Sequence, residues 1–348
     1  MKEDQPPSHF PDLLALQEFP SVSSPSSLCH SDDRLYVSIN KPFKPFPLSR
    51  SVYGGHFLAQ SLHAASLSIA QSFPGLFVVA HSLHANFLAR SSSESPFLYV
   101  VSTVQTGNRF LVRLVRVYQY PAEQFDLAQI ASASPLFIAT ISFKTPEPSA
   151  QLFFSQSSIP STSLPDEWHH IPPRPPILAS PSKAIPHPDA DHPGILAWAA
   201  DNNYRPHKHA IDVRRVPMTT NPDAFSHRRS FHYYKAISHF VSRPSEDPNL
   251  HLCAHAYVSD RNSLFVSADL IGKRNSLAFA ASLSHSIVFY PPPIAPAAAA
   301  DEDWCVMETS TSRSGDGRLS YNGRLYDARG FMIAEFMQDG LAIFSSNL

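Results

Sequence analysis

The residues most open to a chemical reading are two neighbouring glycines, Gly54 and Gly55, at the start of the segment Tyr53–Gln71. A glycine pair at a helix start leaves the N–H groups of the first turn uncovered, so another backbone or a ligand can approach them. Packing of the helix against a sheet explains the same pair without any ligand. Other patterns carry less. Ser180-x-x-Lys183 has a nucleophile spacing but falls in a Pro-rich stretch with no helix to hold it. The chain has 18 His, yet no His-Glu-x-x-His or Cys-x-x-Cys spacing occurs, and Cys253-Ala254-His255 is an isolated pair. A structural role for these histidines, with no metal and no cofactor, is expected. There is no Gly-x-Ser-x-Gly elbow, P-loop or dinucleotide fingerprint. The pairs Arg214-Arg215 and Arg228-Arg229 are too short to suggest more than solvated faces.

The elements that must position any site begin with Tyr53–Gln71. Leu58, Leu62, Ala65 and Ile69 recur at helical spacing while Gln60, Ser61, His63 and Ser68 fall on other faces, which predicts an amphipathic helix. Leu35–Ile39 alternates like a strand ahead of it. Four strands are expected after it: Val78–Leu88, Phe97–Gln105, Arg109–Tyr120 and Ala128–Phe143, with Thr106-Gly107-Asn108 as a turn. A Pro-rich stretch then interrupts the pattern, removing ladder donors and disfavouring helix. Beyond it the order returns. Ser230–Val241 is strand-like, Val258–Gly272 is a shorter helix, and Ala280–Tyr290, Trp304–Thr311, Arg318–Tyr326 and Phe331–Phe344 are strands. Ala80-His81-Ser82-Leu83 is echoed by Ser284-His285-Ser286-Ile287. Two tandem α+β units follow, each with a helix that must bury one face against its own antiparallel sheet. The expected division is an arm over residues 1–30, a first repeat over 31–147, a linker over 148–204 and a second repeat over 205–348.

Composition sets outer bounds. With 348 residues, 43% hydrophobic and 16% charged, the chain can bury a large core. A net charge of −2 gives no electrostatic reason to expect nucleic acid or an anionic membrane as partner. The polar start MKEDQPPSHF lacks a signal core, and no run is long enough for a membrane span. Cys29, Cys253 and Cys305 are odd in number and widely spaced, which suits free thiols in a reducing compartment.

Short blocks in register carry a resemblance. Ser51-Val52-Tyr53-Gly54-Gly55-His56 with Gln60, His81-Ser82-Leu83-His84-Ala85-Asn86-Phe87-Leu88 and Gly107-Asn108-Arg109-Phe110 with Arg113 occupy the first half. Ile211-Asp212-Val213-Arg214, Tyr257-Val258-Ser259-Asp260, His285-Ser286-Ile287-Val288-Phe289 and Gln338-Asp339-Gly340 occupy the second. Together these resemble the acyl-CoA thioesterase II family over roughly residues 35–345. The resemblance implies a double-hotdog fold, an acyl-CoA substrate hydrolysed to free acid and coenzyme A, and further association into homo-oligomers. The family's catalytic Asp, hydroxyl residue and Gln fall on Asp260, Ser282 and Gln338. That set is chemically coherent: a carboxylate serves as general base for water while a hydroxyl and an amide orient it. Asp260 also has an ordinary explanation as a cap at a helix start, and the strand alignment permits Ser284 in place of Ser282. Substrate contacts are expected at Gly54, Gly55, His56 and His81.

The chain also departs from the family pattern. His56 stands where relatives carry Gln, Ala89-Arg90-Ser91 replaces a Pro-Gly turn, and Ser284 replaces an Asp. These departures leave open a catalytically weak acyl-CoA binding protein; a hotdog enoyl-CoA hydratase, which needs a His a few residues from its Asp, ranks lower because no His follows Asp260 until His285. The C-terminal Ser346-Asn347-Leu348 resembles a peroxisomal address without its basic middle residue, with a cytoplasmic location as the alternative.

Overall fold

The computed structural model describes residues 9–19, 33–42, 44, 49, 51–119, 133–146, 184–187, 193–203, 211–216, 229–236, 247–290, 304–327 and 332–345. In the first half lie α1 Phe10–Leu14, β1 Leu16–Phe19, β2 Arg34–Ser38, α2 Gly54–Ser72, β3 Val79–Phe87, β4 Phe97–Thr106, β5 Phe110–Gln119 and β6 Phe137–Lys144. The second half holds β7 Ile185–Pro186, α3 Pro193–Asp201, β8 Ile211–Arg215, β9 Arg229–Ala236, α4 Pro248–Ser259 and α5 Ser263–Leu270. It continues with β10 Leu277–Phe289, β11 Cys305–Ser310, β12 Ser314–Gly315, β13 Arg318–Tyr326 and β14 Met332–Phe344.

All these strands form one antiparallel sheet in the order β1-β2-β4-β5-β6-β3-β10-β14-β13-β11-β9-β8-β7, with β12 on β13. The duplication is visible in that order. The run β2-β4-β5-β6-β3 is repeated as β9-β11-β13-β14-β10, and the two units join edge to edge where Ser284 faces Asn86 and Val288 faces Ser82. Joining removes two exposed strand edges at once, which neither unit can do alone.

The sheet packs on α2 and α4, which also pack on each other. The stripe Leu58, Leu62, Ala65 and Ile69 is fully buried as its spacing predicts, each leucine contributing on the order of 2 kcal/mol. The polar faces of α2 are a correction. Gln60, Ser61 and Ser68 are buried too, because α1 and α4 cover the side that an amphipathic helix would show to water. Their polar groups turn inward: Gln60 Oε1 accepts from Tyr99 and His56 at 2.6 and 2.8 Å, and Ser68 donates to the Ala65 carbonyl at 2.7 Å.

Three further expectations are revised. The second helix is two helices, α4 and α5, broken over residues 260–262, and α4 was not foreseen. Its start is conventional, with Pro248 in the first turn and the Asp247 side chain accepting from Leu250 N–H at 3.1 Å. The described part of the expected arm, residues 9–19, forms a short helix over its apolar residues and a strand: Phe10 packs edge-on against Tyr257 at 5.6 Å and β1 pairs with β2. The linker expected over 148–204 contains α3, whose Pro193 takes the first position, where a missing N–H costs nothing. Ser180 and Lys183, the insertion 291–300, Cys29 and the C-terminal tripeptide lie outside the described residues. No helix among the described residues is long and apolar enough to cross a membrane.

Candidate active site

The break between α4 and α5 places Asp260. Its backbone ends α4 at φ −92° and ψ 0°, and Asn262 turns the chain with φ 51° before α5 resumes. Asp260 is therefore not at a helix start but at the end of one, facing the first turn of another helix, α2. The Gly55 N–H, one of the donors a helix leaves without an internal partner, bonds the Asp260 carboxylate. Both glycines are needed for this approach. A Cβ on Gly54 would lie 2.5 Å from Asp260 Oδ2, and one on Gly55 would strike the Tyr257 carbonyl. The glycine pair thus serves the close meeting of α2 with α4.

Three further elements converge on the other carboxylate oxygen. Ser263, at the head of α5, and Ser282, on β10, each lie 3.4 Å from Asp260 Oδ1. Gln338, on β14, donates from Nε2 to Ser282 Oγ at 2.6 Å and to Ser263 Oγ at 3.0 Å. Its Oε1 lies 2.7 Å from His285 Nδ1, and His285 Nε2 lies 2.9 Å from Ser259 Oγ. A bulge explains how one strand supplies both Ser282 and His285. The β10–β14 register slips between Ser282 and Ser284, so residues three apart both meet the Gln338 side chain. Of the two serines that the strand alignment allows, Ser282 rather than Ser284 reaches Asp260.

Burial governs the electrostatics. It pushes the Asp260 carboxyl up to about 7, against the opposing pull of the Gln338, Gly55, Ser263 and Ser282 donors. The same cause pushes His285 down to about 4, so its ring is neutral at physiological pH. Burial and the nearby Asp260 charge both raise Tyr321.

A cavity of about 750 Å³ opens beside this group. Asp260, Ser263 and Ser282 form one part of its wall together with Gly54. The rest is largely apolar, including Phe57, Phe87, Leu264, Phe265 and Phe279. Arg90 lines it too, its guanidinium 5.9 Å from the Phe279 ring centroid. A buried carboxylate with hydroxyl donors at the wall of an apolar cavity can activate a water against an electrophile held there.

The sequence-predicted residues separate in three dimensions. Asp260, Ser282 and Gln338 come together, with Gln338 fully buried behind the serines. Of the expected substrate contacts only Gly54 lines the cavity; Gly55 lies behind it, bonded to Asp260. His56 is in the core, Nε2–H donating to Gln60 Oε1 and the ring edge-on to Phe97 at 5.7 Å. His81, on β3, packs edge-on against Phe110 at 5.4 Å, away from the cavity. The offset that pairs Tyr53 with Tyr257 and His81 with His285 pairs His56 with Asp260, so the first repeat carries no carboxylate at the matching place. Ser263, Ser259 and His285 were missed as site residues. The only signal for them was the repeated His-Ser block, which gave no hint of a partner.

Comparison with known proteins agrees with this architecture. Residues 44–144 match the acyl-CoA thioesterase N-terminal domain and residues 181–342 the acyl-CoA thioesterase C-terminal domain. The chain is 25% identical over 307 residues to acyl-coenzyme A thioesterase 8 of Mus musculus, covering 85% of this chain and 81% of the mouse protein. It is 24% identical over 297 residues to the Homo sapiens acyl-coenzyme A thioesterase 8, covering 84% and 81%. In structure it resembles the acyl-CoA thioesterase II TesB2 of Mycobacterium marinum, with a TM-score of 0.60 at 21% identity over 97% of this chain and 98% of that one. A hot dog fold protein of Alicyclobacillus acidocaldarius gives a TM-score of 0.57 at 15% identity, covering 96% and 97%. The two joined α+β units are the double hotdog, and the chain belongs to the acyl-CoA thioesterase family as one of its thioester hydrolases.

Proposed function

We propose that the chain hydrolyses acyl-CoA by a direct attack of water, with Asp260 as general base. The observation that carries this reading is a buried carboxylate, pushed up to about 7, set in the wall of an apolar cavity with two hydroxyl groups directed to it. A base of that pKa is half ionised near neutrality and still holds a proton well once it has taken one. Water bound at Asp260 and Ser282 loses a proton to the carboxylate as its oxygen attacks the thioester carbonyl carbon. The tetrahedral intermediate collapses by breaking the C–S bond, and the leaving thiolate recovers the proton from Asp260. Acid and coenzyme A leave, with no covalent acyl-enzyme. Gly54 on the cavity wall puts the positive end of the α2 dipole near the developing oxyanion. Gln338 Nε2 reaches both serines and also favours the charged Asp260 carboxylate, so the amide acts on the water through those hydroxyls and through the base.

The test is release of coenzyme A, followed with a thiol reagent, from a panel of acyl-CoAs of increasing chain length. Turnover that rises with chain length until the cavity is filled is the expected result. Tight binding of the same acyl-CoAs without turnover supports the binding-protein alternative and removes the hydrolytic reading. For location, we propose the peroxisome through Ser346-Asn347-Leu348. Imaging of the full chain and of a chain lacking those three residues tests this: punctate signal lost on truncation supports it, and an unchanged diffuse signal refutes it.

A further inference from the structure

We propose that His285 is a positioning residue whose tautomer sets the direction of the serine hydrogen bonds leading to Asp260. The argument rests on counting protons along one buried chain of groups. Ser259 Oγ, His285, Gln338 and the pair Ser263 and Ser282 are linked in series at 2.9, 2.7, 3.0 and 2.6 Å. Ser259, His285 and Gln338 are completely buried, so water cannot supply alternative partners. His285 has neutral partners only, Ser259 from α4 and Gln338 from β14, and its ring is stacked on Phe336 at 5.7 Å.

Two directions satisfy the chain. In the first, His285 carries its proton on Nδ1 and donates to Gln338 Oε1. The Gln338 amide then points both N–H groups at Ser263 and Ser282, whose own protons are left free for Asp260 Oδ1. Ser259 closes this arrangement by donating to Nε2. In the second, the proton is on Nε2 and Ser259 donates instead to the Ala256 carbonyl, which lies 2.8 Å away. His285 Nδ1 then needs a donor, the amide must turn over, and Oε1 draws the serine protons away from Asp260. Only the first direction leaves both serine protons for an ionised Asp260, and the Gln338 amide stands in that orientation. The imidazole touches neither cavity nor carboxylate; it acts through Gln338.

This proposal rests on Asp260 as the working base, and its test separates the two claims. In protein labelled with 15N-histidine, the His285 signals are identified by their loss in His285→Phe. The expected result at pH 8 is a proton on Nδ1 and a bare Nε2, and the reverse tautomer would overturn the proposal whatever the enzyme's activity. Kinetics provide the second readout. His285→Asn keeps an N–H donor where Nδ1 stood and should keep kcat within about threefold. His285→Phe and His285→Gln lack that donor and should lose about 10- to 100-fold in kcat with KM little changed. Their acid limb of kcat should also move to higher pH, because Asp260 loses hydroxyl donors that favour its charged form. Equal losses in Asn, Gln and Phe variants of matched thermal stability would overturn the positioning role. If His285→Phe does not fold, the remaining histidine signals are assigned by single substitution elsewhere and the tautomer decides. A wild type that releases no coenzyme A from any acyl-CoA removes the hydrolytic reading and leaves the tautomer measurement standing.

Discussion

Asp260→Asn should lower kcat by about a thousandfold with KM changed little, measured as coenzyme A release at saturating acyl-CoA. Asparagine is close in shape and keeps an oxygen for Ser263 and Ser282, so the cavity and the serines stay in place. What it cannot do is take a proton from water. The pH profile gives a sharper check. Because the active form is ionised and burial holds the carboxyl at about 7, wild-type kcat should rise as pH passes through that value and fall below it, while the residual rate of Asp260→Asn lacks that inflection. Stability should move the opposite way. A carboxyl whose folded pKa lies above its unfolded value binds its proton more tightly in the native state. Its contribution is present in full below the unfolded value of 3.8 and is lost as pH rises through about 7. Asp260→Asn should therefore melt higher than wild type at pH 9, by roughly 2–4 °C, and nearly the same at pH 3. Equal rates in wild type and variant would take Asp260 out of the mechanism. A variant less stable at pH 9 than wild type would show that the buried charge is not costly.

What could be read from the sequence follows from how evenly each element is buried. The strands were found because each alternates or is rich in β-branched residues, and the stripe of α2 because its apolar positions keep a helical period. The chain order of each repeat, a strand, a helix and then four strands, follows from the same alternation, but the sheet order does not, since β3 pairs with β6 and β10 rather than with β4. Helix α4 was lost for a related reason. Leu252, Ala254, Ala256 and Val258 are buried, and so are His251, Cys253, His255 and Tyr257, so no polar face marks a period. The break at 260–262 was invisible because it depends on Asn262 turning left-handed, which neighbouring residue types permit but do not demand. For the site, the sequence contains its members but not their convergence. Asp260, Ser263, Ser282, His285 and Gln338 come from three elements and one break, and the β10 bulge that aligns two of them leaves no compositional trace. His56 shows the converse error. It stands at the entrance of α2 in the chain, but the side chain turns toward Gln60 and the residue joins the core.

The glycine pair gives the second large effect, and its two members should fail in different ways. Neither is required for its backbone angles, since Gly75, Gly272 and Gly317 are the glycines with positive φ among the described residues. Gly55→Ala puts a methyl group into the Tyr257 carbonyl and 2.6 Å from Tyr53 Cε1. Neither neighbour can yield. Tyr53 donates its hydroxyl to that same carbonyl at 2.7 Å, and the Tyr257 ring is wedged between Tyr53 at 4.8 Å and Phe10 at 5.6 Å. Helices α2 and α4 must part, and the expected loss is about 3 kcal/mol or more in denaturant unfolding. The helix preference of Ala over Gly, about 1 kcal/mol, offsets only part of it. Gly54→Ala meets something softer: the end of the Asp260 side chain at 2.5 Å and the Phe87 ring at 3.1 Å. Rotation of the carboxylate relieves that contact at small cost in stability but turns Oδ1 away from Ser263 and Ser282. Gly54→Ala should stay folded and lose about 10- to 100-fold in kcat, as positioning losses do. Gly55→Ala should instead lose stability first and keep much of its kcat per folded molecule. If Gly54→Ala were fully active, the carboxylate orientation seen here would not be the working one; if Gly55→Ala were as stable as wild type, the helix crossing would not depend on the missing side chain.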